Sequence, residues 1–114
     1  MTTERECASV LIVEDPFVRH FVGFVLGREG YHVLETEPRR AAEVLASKRV
    51  EISVIVTNDP RPFKSWADRI GMVYVAAAPD SQLANAFPHC RVLRKPFQPK
   101  ELLDAVQELT VHAL

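Results

Sequence analysis

Little in this chain is long and apolar. Behind the polar opening Met1-Thr2-Thr3-Glu4-Arg5-Glu6 comes only a four-residue apolar run, Val10-Leu11-Ile12-Val13. A spanning helix needs about 20 apolar residues and a signal peptide an apolar stretch of roughly 7–15. Neither a secretory leader nor a membrane anchor is therefore expected, and the expected setting is cytoplasmic. Glycine is scarce, and Gly23, Gly27, Gly30 and Gly71 lack the spacing of a dinucleotide fingerprint or a phosphate-cradling loop. The two cysteines, Cys7 and Cys90, form no C-x-x-C and no metal spacing, so both are expected as ordinary reduced thiols. His20, His32, His89 and His112 are scattered, which argues against a histidine metal centre. A net charge of −1 offers no basic stripe for nucleic acid. The nearest basic run is Arg91, Arg94 and Lys95, and its two arginines read as solvated strand-end charges.

What is present suits one compact soluble domain. A chain of 114 residues that is 47% hydrophobic and 25% charged can bury a modest core. A single domain over 1–114 is expected, with its core at about 8–112. No linker, repeat or low-complexity segment divides it.

Short apolar runs alternate with helical patterns. Ser9–Val13 reads as a strand buried on both faces. Pro16 opens a helix carrying Phe17, Val18, Phe21, Val22, Phe24, Val25 and Leu26, an apolar arc wider than one sheet face needs. Gly30-Tyr31 stops it. His32–Thr36 is the second strand, and Pro38 opens a helix to about Lys48. Ile52–Thr57 is the third strand, followed by a loop forced by Pro60 and Pro62. Phe63–Ile70 is long enough for two helical turns, Val73–Ala78 is the fourth strand and Ser81–Phe87 a short helix. Cys90–Arg94 is the fifth strand, and Pro99 starts a last helix with Leu102, Leu103, Val106 and Leu109 at helical spacing. Five β-α units with short connections predict an α/β fold with a doubly wound, five-stranded parallel sheet.

Two of these strands end in charge. Val10-Leu11-Ile12-Val13 runs into Glu14-Asp15, and Val92-Leu93-Arg94 runs into Lys95-Pro96-Phe97. In such a sheet the carboxyl ends of the strands line the ligand crevice. The pattern resembles the receiver domain of two-component response regulators, the CheY-like, flavodoxin-like (βα)5 family, over almost the whole chain. The resemblance implies an acidic pocket of Glu14 and Asp15 that holds Mg²⁺ through oxygen ligands, and a pocket lysine, Lys95, aimed by a cis peptide to Pro96.

The same resemblance exposes departures. Pro16 follows Asp15 directly, one residue sooner than is usual in the family. The phosphoacceptor aspartate belongs at the end of the third strand, four residues before a proline. One register puts Asn58 there with Pro62 following; another matches Val56 and Pro60. The first keeps the strand unbroken and is preferred, with Asp59 as the alternative acceptor. Neither register supplies an aspartate, and an amide cannot act as a carboxylate nucleophile. Ala77 stands where a switch hydroxyl belongs, and Val92 where an aromatic switch residue belongs. The segment between Asn58 and Lys95 is short, so the third and fourth helices are expected to be shortened.

The expected function is that of a pseudo-receiver in bacterial two-component phosphorelay signalling, acting by protein contact without phosphoryl transfer and not as an enzyme. Its partner would be a histidine kinase or another signalling protein, with a homodimer as a further possibility; nucleic acid and membrane are not expected. No cofactor is required, and Mg²⁺ at Glu14 and Asp15 is expected to bind weakly if at all. Without the acceptor's charge, Lys95 is expected to pair with Asp15 or with the side-chain carbonyl of Asn58. The outside of the first helix is expected to meet the partner, with Val18, Val22 or Leu26 partly exposed. With nothing after Leu114, output is expected by contact. A working receiver using Asp59 and, more remotely, a hydrolase on a similar sheet remain the alternatives.

Overall fold

The protein, seen in a computed structural model, is described over residues 8–112. Cys7 and residues 1–6 lie outside the described residues, as do the last two of the chain. The elements run β1 (Ser9–Val13), α1 (Pro16–Arg28), β2 (His32–Thr36), α2 (Pro38–Ser47), β3 (Val54–Thr57), a 3-10 segment (Arg61–Trp66), β4 (Gly71–Ala76), α3 (Ser81–Asn85), β5 (Cys90–Arg94) and α4 (Pro99–His112). All strand pairs are parallel, in the order β2-β1-β3-β4-β5. This is the doubly wound sheet that the alternation of short strands and helices predicts. The chain leaves β1 toward β2 and returns to β3 on its other side. The strand order therefore reverses between β1 and β3, where crevices form in such sheets.

Alternate residues of each central strand feed two cores, because side chains alternate across a strand. Val10, Ile12, Val54, Val56, Val73 and Val75 pack under α1 and α4, against Val22, Leu26, Leu102, Val106 and Leu109. Leu11, Val13, Ile55 and Met72 pack on the other face against Ala41 and Leu45 of α2, with Phe63 and Phe87. Burial on both faces is why these strands read as unbroken apolar runs. Proline stands at the first turn of α1, α2 and α4, where its missing N–H costs nothing. After α1 the turn is closed by Gly30, whose φ of 95° suits a residue without Cβ.

Several expected boundaries move. β3 begins at Val54, not Ile52, and β4 ends at Ala76, whose partner Arg94 is the last residue of β5. Ala77 and Ala78 therefore lie beyond the sheet. Phe63–Ile70 is not an α-helix: the 3-10 segment starts earlier and ends at Trp66, with Pro60 and Pro62 holding the chain in tight turns. α3 has only five residues, ending before Phe87. Shortening of the third and fourth helical connections is thus observed.

The largest correction concerns α1. Val22 and Leu26 are fully buried, so of the three expected positions only Val18, half-buried, is partly exposed. The surface carries Phe17 (84% exposed), Phe24 (65%) and Phe21 (39%) instead. An apolar arc that wide leaves the inward face undetermined by sequence. The sheet takes the side on which Gly23 lies, where an added Cβ would meet Glu35 Oε2 at 2.7 Å.

Candidate functional site: the crevice at the carboxyl ends of the strands

Glu14 and Asp15 leave β1 together but do different work. Glu14 is 2% exposed, and its Oε1 accepts from the Asp15 backbone N–H at 3.2 Å. Its Oε2 lies 3.0 Å from the Lys95 ammonium. β5 is three strands away from β1, so this ion pair bridges the crevice from one side of the sheet to the other. Lys95 is held by its backbone N–H, which donates to Ala76 at 2.9 Å, and by the turn after it, where the Lys95–Pro96 peptide is cis.

Asp15 is exposed and caps α1. Its Oδ1 accepts from the backbone N–H groups of Phe17 at 3.1 Å and Val18 at 3.2 Å. An aspartate immediately before a helix-opening proline is a recognisable N-cap signal, and the direct Asp15-Pro16 junction leaves no spare residue between strand and helix. The tight loop sends the second acid to the helix. The expected pairing of Lys95 with Asp15 or Asn58 is thereby corrected: its partner is Glu14.

On the neighbouring strand, Val13 pairs with Thr57, so Asn58 follows at the tip of β3 beside Glu14 at the tip of β1. Asn58 is exposed. Asp59 is turned to its own loop. The Thr57 hydroxyl accepts from the Asp59 N–H at 3.1 Å and donates to the Asp59 carbonyl at 3.2 Å. Both carboxylate oxygens of Asp59 are taken by Arg61, Oδ1 by Nε at 2.9 Å and Oδ2 by Nη2 at 3.0 Å. The guanidinium hydrogen bond holds the Asp59 carboxyl below its usual range and raises Arg61. Arg61 is the residue that the sequence reading passed over. Its spacing, two after an acid in a proline-rich turn, was the available signal.

Of the remaining site positions, Ala77 and Val92 are both exposed. Ala77 contributes only its carbonyl, which accepts from Arg94 Nε at 3.3 Å. No hydroxyl or aromatic ring stands at either place.

A resident Mg²⁺ would need several oxygen ligands in near-octahedral array. Glu14 is committed to Lys95, Asp59 to Arg61, one oxygen of Asp15 to the helix, and Asn58 is neutral. Among the described residues no three His, Cys, Asp or Glu side chains are gathered to hold a metal ion. The residues present do not fit a resident Mg²⁺.

No protein-family model matches the sequence, and no curated protein matches it. Solved structures do. The chemotaxis response regulator CheY4 of Vibrio cholerae superposes with a TM-score of 0.72 at 24% identity, covering 90% of this chain and 98% of that one. The signal receiver domain of an HD domain-containing protein from Pseudomonas fluorescens Pf-5 gives 0.79 at 18% identity, covering 99% and 92%. The beryllofluoride-activated NtrC4 receiver domain, a dimer in solution, gives 0.76 at 20%, covering 93% and 98%. The chain therefore has the fold of the CheY-like receiver domains. Among the described residues no helix is long and apolar enough to cross a membrane.

Proposed function

We propose that this protein is a receiver-type module of two-component signalling that works by contact with another signalling protein and does not accept a phosphoryl group. One observation carries the reading: the crevice is already neutralised without a nucleophile. The tip of β3 presents the amide of Asn58, and the ammonium of Lys95 is taken by Glu14 at 3.0 Å. A carboxylate nucleophile is what phosphoryl acceptance on this fold would require, and the nearest candidate, Asp59, is held in a two-point ion pair by Arg61. The almost complete overlap with receiver domains supports a signalling role. On this reading the module is cytoplasmic, catalyses nothing, and binds a histidine kinase or another protein of the same pathway type.

Incubation with a small phosphodonor and Mg²⁺, followed by intact mass measurement, tests it. The expected outcome is no adduct. A stoichiometric phosphoryl adduct that disappears in Asp59→Ala would overturn the reading in favour of a working receiver.

A further inference from the structure

We infer that the cavity at the amino ends of β3 and β4 is a binding site for a small aromatic acid, a flat apolar body that carries one carboxylate. The inference stands whether or not the crevice accepts a phosphoryl group, because the two places lie at opposite ends of the sheet. Residues 50–52 lead toward β3 and residues 66–70 lead into β4, whereas Asn58 and Lys95 follow the far ends of their strands. The cavity measures about 590 Å³, within the ~300–1,000 Å³ of small-molecule sites. Leu45, Ile52 and Ile70 form a buried apolar wall, and the half-buried Val50 and Trp66 complete it. The indole of Trp66 is the one aromatic ring in this lining, a flat surface on which a second ring can stack.

The charge around this cavity is unspent. Lys48, Glu51 and Arg69 line it, and among the described residues none of the three has an ion-pair partner. At the crevice, by contrast, Lys95 is taken by Glu14 and Arg61 by Asp59. The lining sets two cations against one carboxylate, and the flanking Arg49 and Asp68, both exposed, offset each other. Backbone donors add to the positive side. Val50, Glu51 and Ile52 stand between α2 and β3, and among the described residues their N–H groups donate to no protein acceptor. A cationic ligand would meet Lys48 and Arg69, and a neutral one would leave both without a counter-charge. One carboxylate matches the excess, since charge-assisted hydrogen bonds to an ionised acceptor are the strong ones.

Lys48 supplies an independent observation. It ends α2 with φ 55° and ψ 20°, and among the described residues it is the one residue other than glycine with positive φ. Glycine is the usual occupant of such a helix stop because it has no Cβ to clash. A lysine there holds local strain, and strain of this kind gathers at ligand-binding positions. What the lysine provides in return is an ammonium at the cavity wall. Glycine would end α2 more easily and remove that charge.

Trp66 is the one tryptophan of the chain, so its indole N–H signal in a heteronuclear NMR spectrum of the whole chain reads the cavity directly. Titration with 2-naphthoate should move that signal saturably, with a Kd on the order of 0.1–1 mM for a ligand of this size. The same ligand should raise the Tm, because it binds the folded chain. Neutral 2-naphthamide should bind about fivefold more weakly, and inorganic phosphate should leave the signal in place. Lys48→Gly should keep or raise the ligand-free Tm while weakening 2-naphthoate about fivefold. Arg69→Gln should weaken it to a similar degree, and Glu51→Gln should tighten it about twofold. An indole signal that 2-naphthoate does not move up to about 5 mM overturns the inference. So does equal affinity for the amide, which would make the cavity an apolar cleft without selection for charge. Full affinity retained in both Lys48→Gly and Arg69→Gln overturns it as well.

Discussion

The two sides of the crevice differ in how they dispose of charge. On the β1–β5 side an acid is buried and a lysine reaches past two intervening strands to meet it, so removing the lysine leaves a carboxylate that the interior must hold. At β3 the charged groups, Asp59 and Arg61, face each other across one exposed turn and are open to water. The first arrangement is part of the architecture and the second is nearly free to change. The charged pair on the β1–β5 side ties two distant strand ends together across the crevice, while the tip of β3 carries the neutral, exposed Asn58.

The largest effect should come from breaking the buried side. Lys95→Ala leaves Glu14 without its counter-ion in a dry site. Loss of one partner of a buried pair costs about 3–5 kcal/mol, and the partial exposure of Lys95 brings this to roughly 2–3 kcal/mol. Thermal denaturation should record a fall in Tm on the order of 10 °C. A change of less than about 2 °C would mean the pair contributes little to the fold.

Asn58→Asp sharpens the contrast from the other side. A carboxylate at the tip of β3, beside Glu14 and the free oxygen of Asp15, adds the hard ligand that a divalent cation lacks here. Calorimetry should find Mg²⁺ affinity raised about tenfold over wild type, equivalent to about 1.4 kcal/mol. Equal affinities would show that Lys95 and Glu14 close the crevice to cations regardless of strand three.

The smallest effect belongs to the exposed turn. Arg61→Ala should leave the Tm at neutral pH essentially unchanged, because exposed pairs are screened by solvent. Its trace lies on the acid side. The Arg61 hydrogen bond depresses the native Asp59 carboxyl, so its stabilisation is complete above the unfolded value of about 3.9. It is lost as the pH falls through the lower native value. Acid unfolding followed by circular dichroism should therefore begin at higher pH in Arg61→Ala than in wild type. Superimposable acid limbs would mean that Asp59 gains nothing from its neighbour.

The same division separates what the sequence carries from what the fold adds. Val10–Val13 and Val54–Thr57 were legible as doubly buried strands because continuous apolar residues have no other stable place in a parallel sheet. Their ends were legible too, which located Asn58 at the tip of β3 and Lys95 just past β5. The partner of Lys95 was not. Glu14 and Asp15 are equally acidic and adjacent, and only the tight junction with Pro16, which draws Asp15 into the helix cap, separates their roles. The Asp59–Arg61 pair has only a local signal, an acid two residues before an arginine in a proline-rich turn, and no helix or strand periodicity to support it.

Helix α1 marks the limit most sharply. Valine, leucine and phenylalanine encircle so much of it that either side could face the sheet. The choice fell on the face with Val22, Gly23 and Leu26, where the small residue lets the helix lie close to Glu35 on β2. Hydrophobic runs, proline-opened helices and the amide of Asn58 at the end of β3 were determined by sequence, since each depends on residues a few positions apart. Tertiary structure decided the Glu14–Lys95 bridge, the capping duty of Asp15 and the outward turn of Phe17, Phe21 and Phe24. These depend on which strands are neighbours and which helix face the sheet can cover, and such distances exist only once the chain has folded.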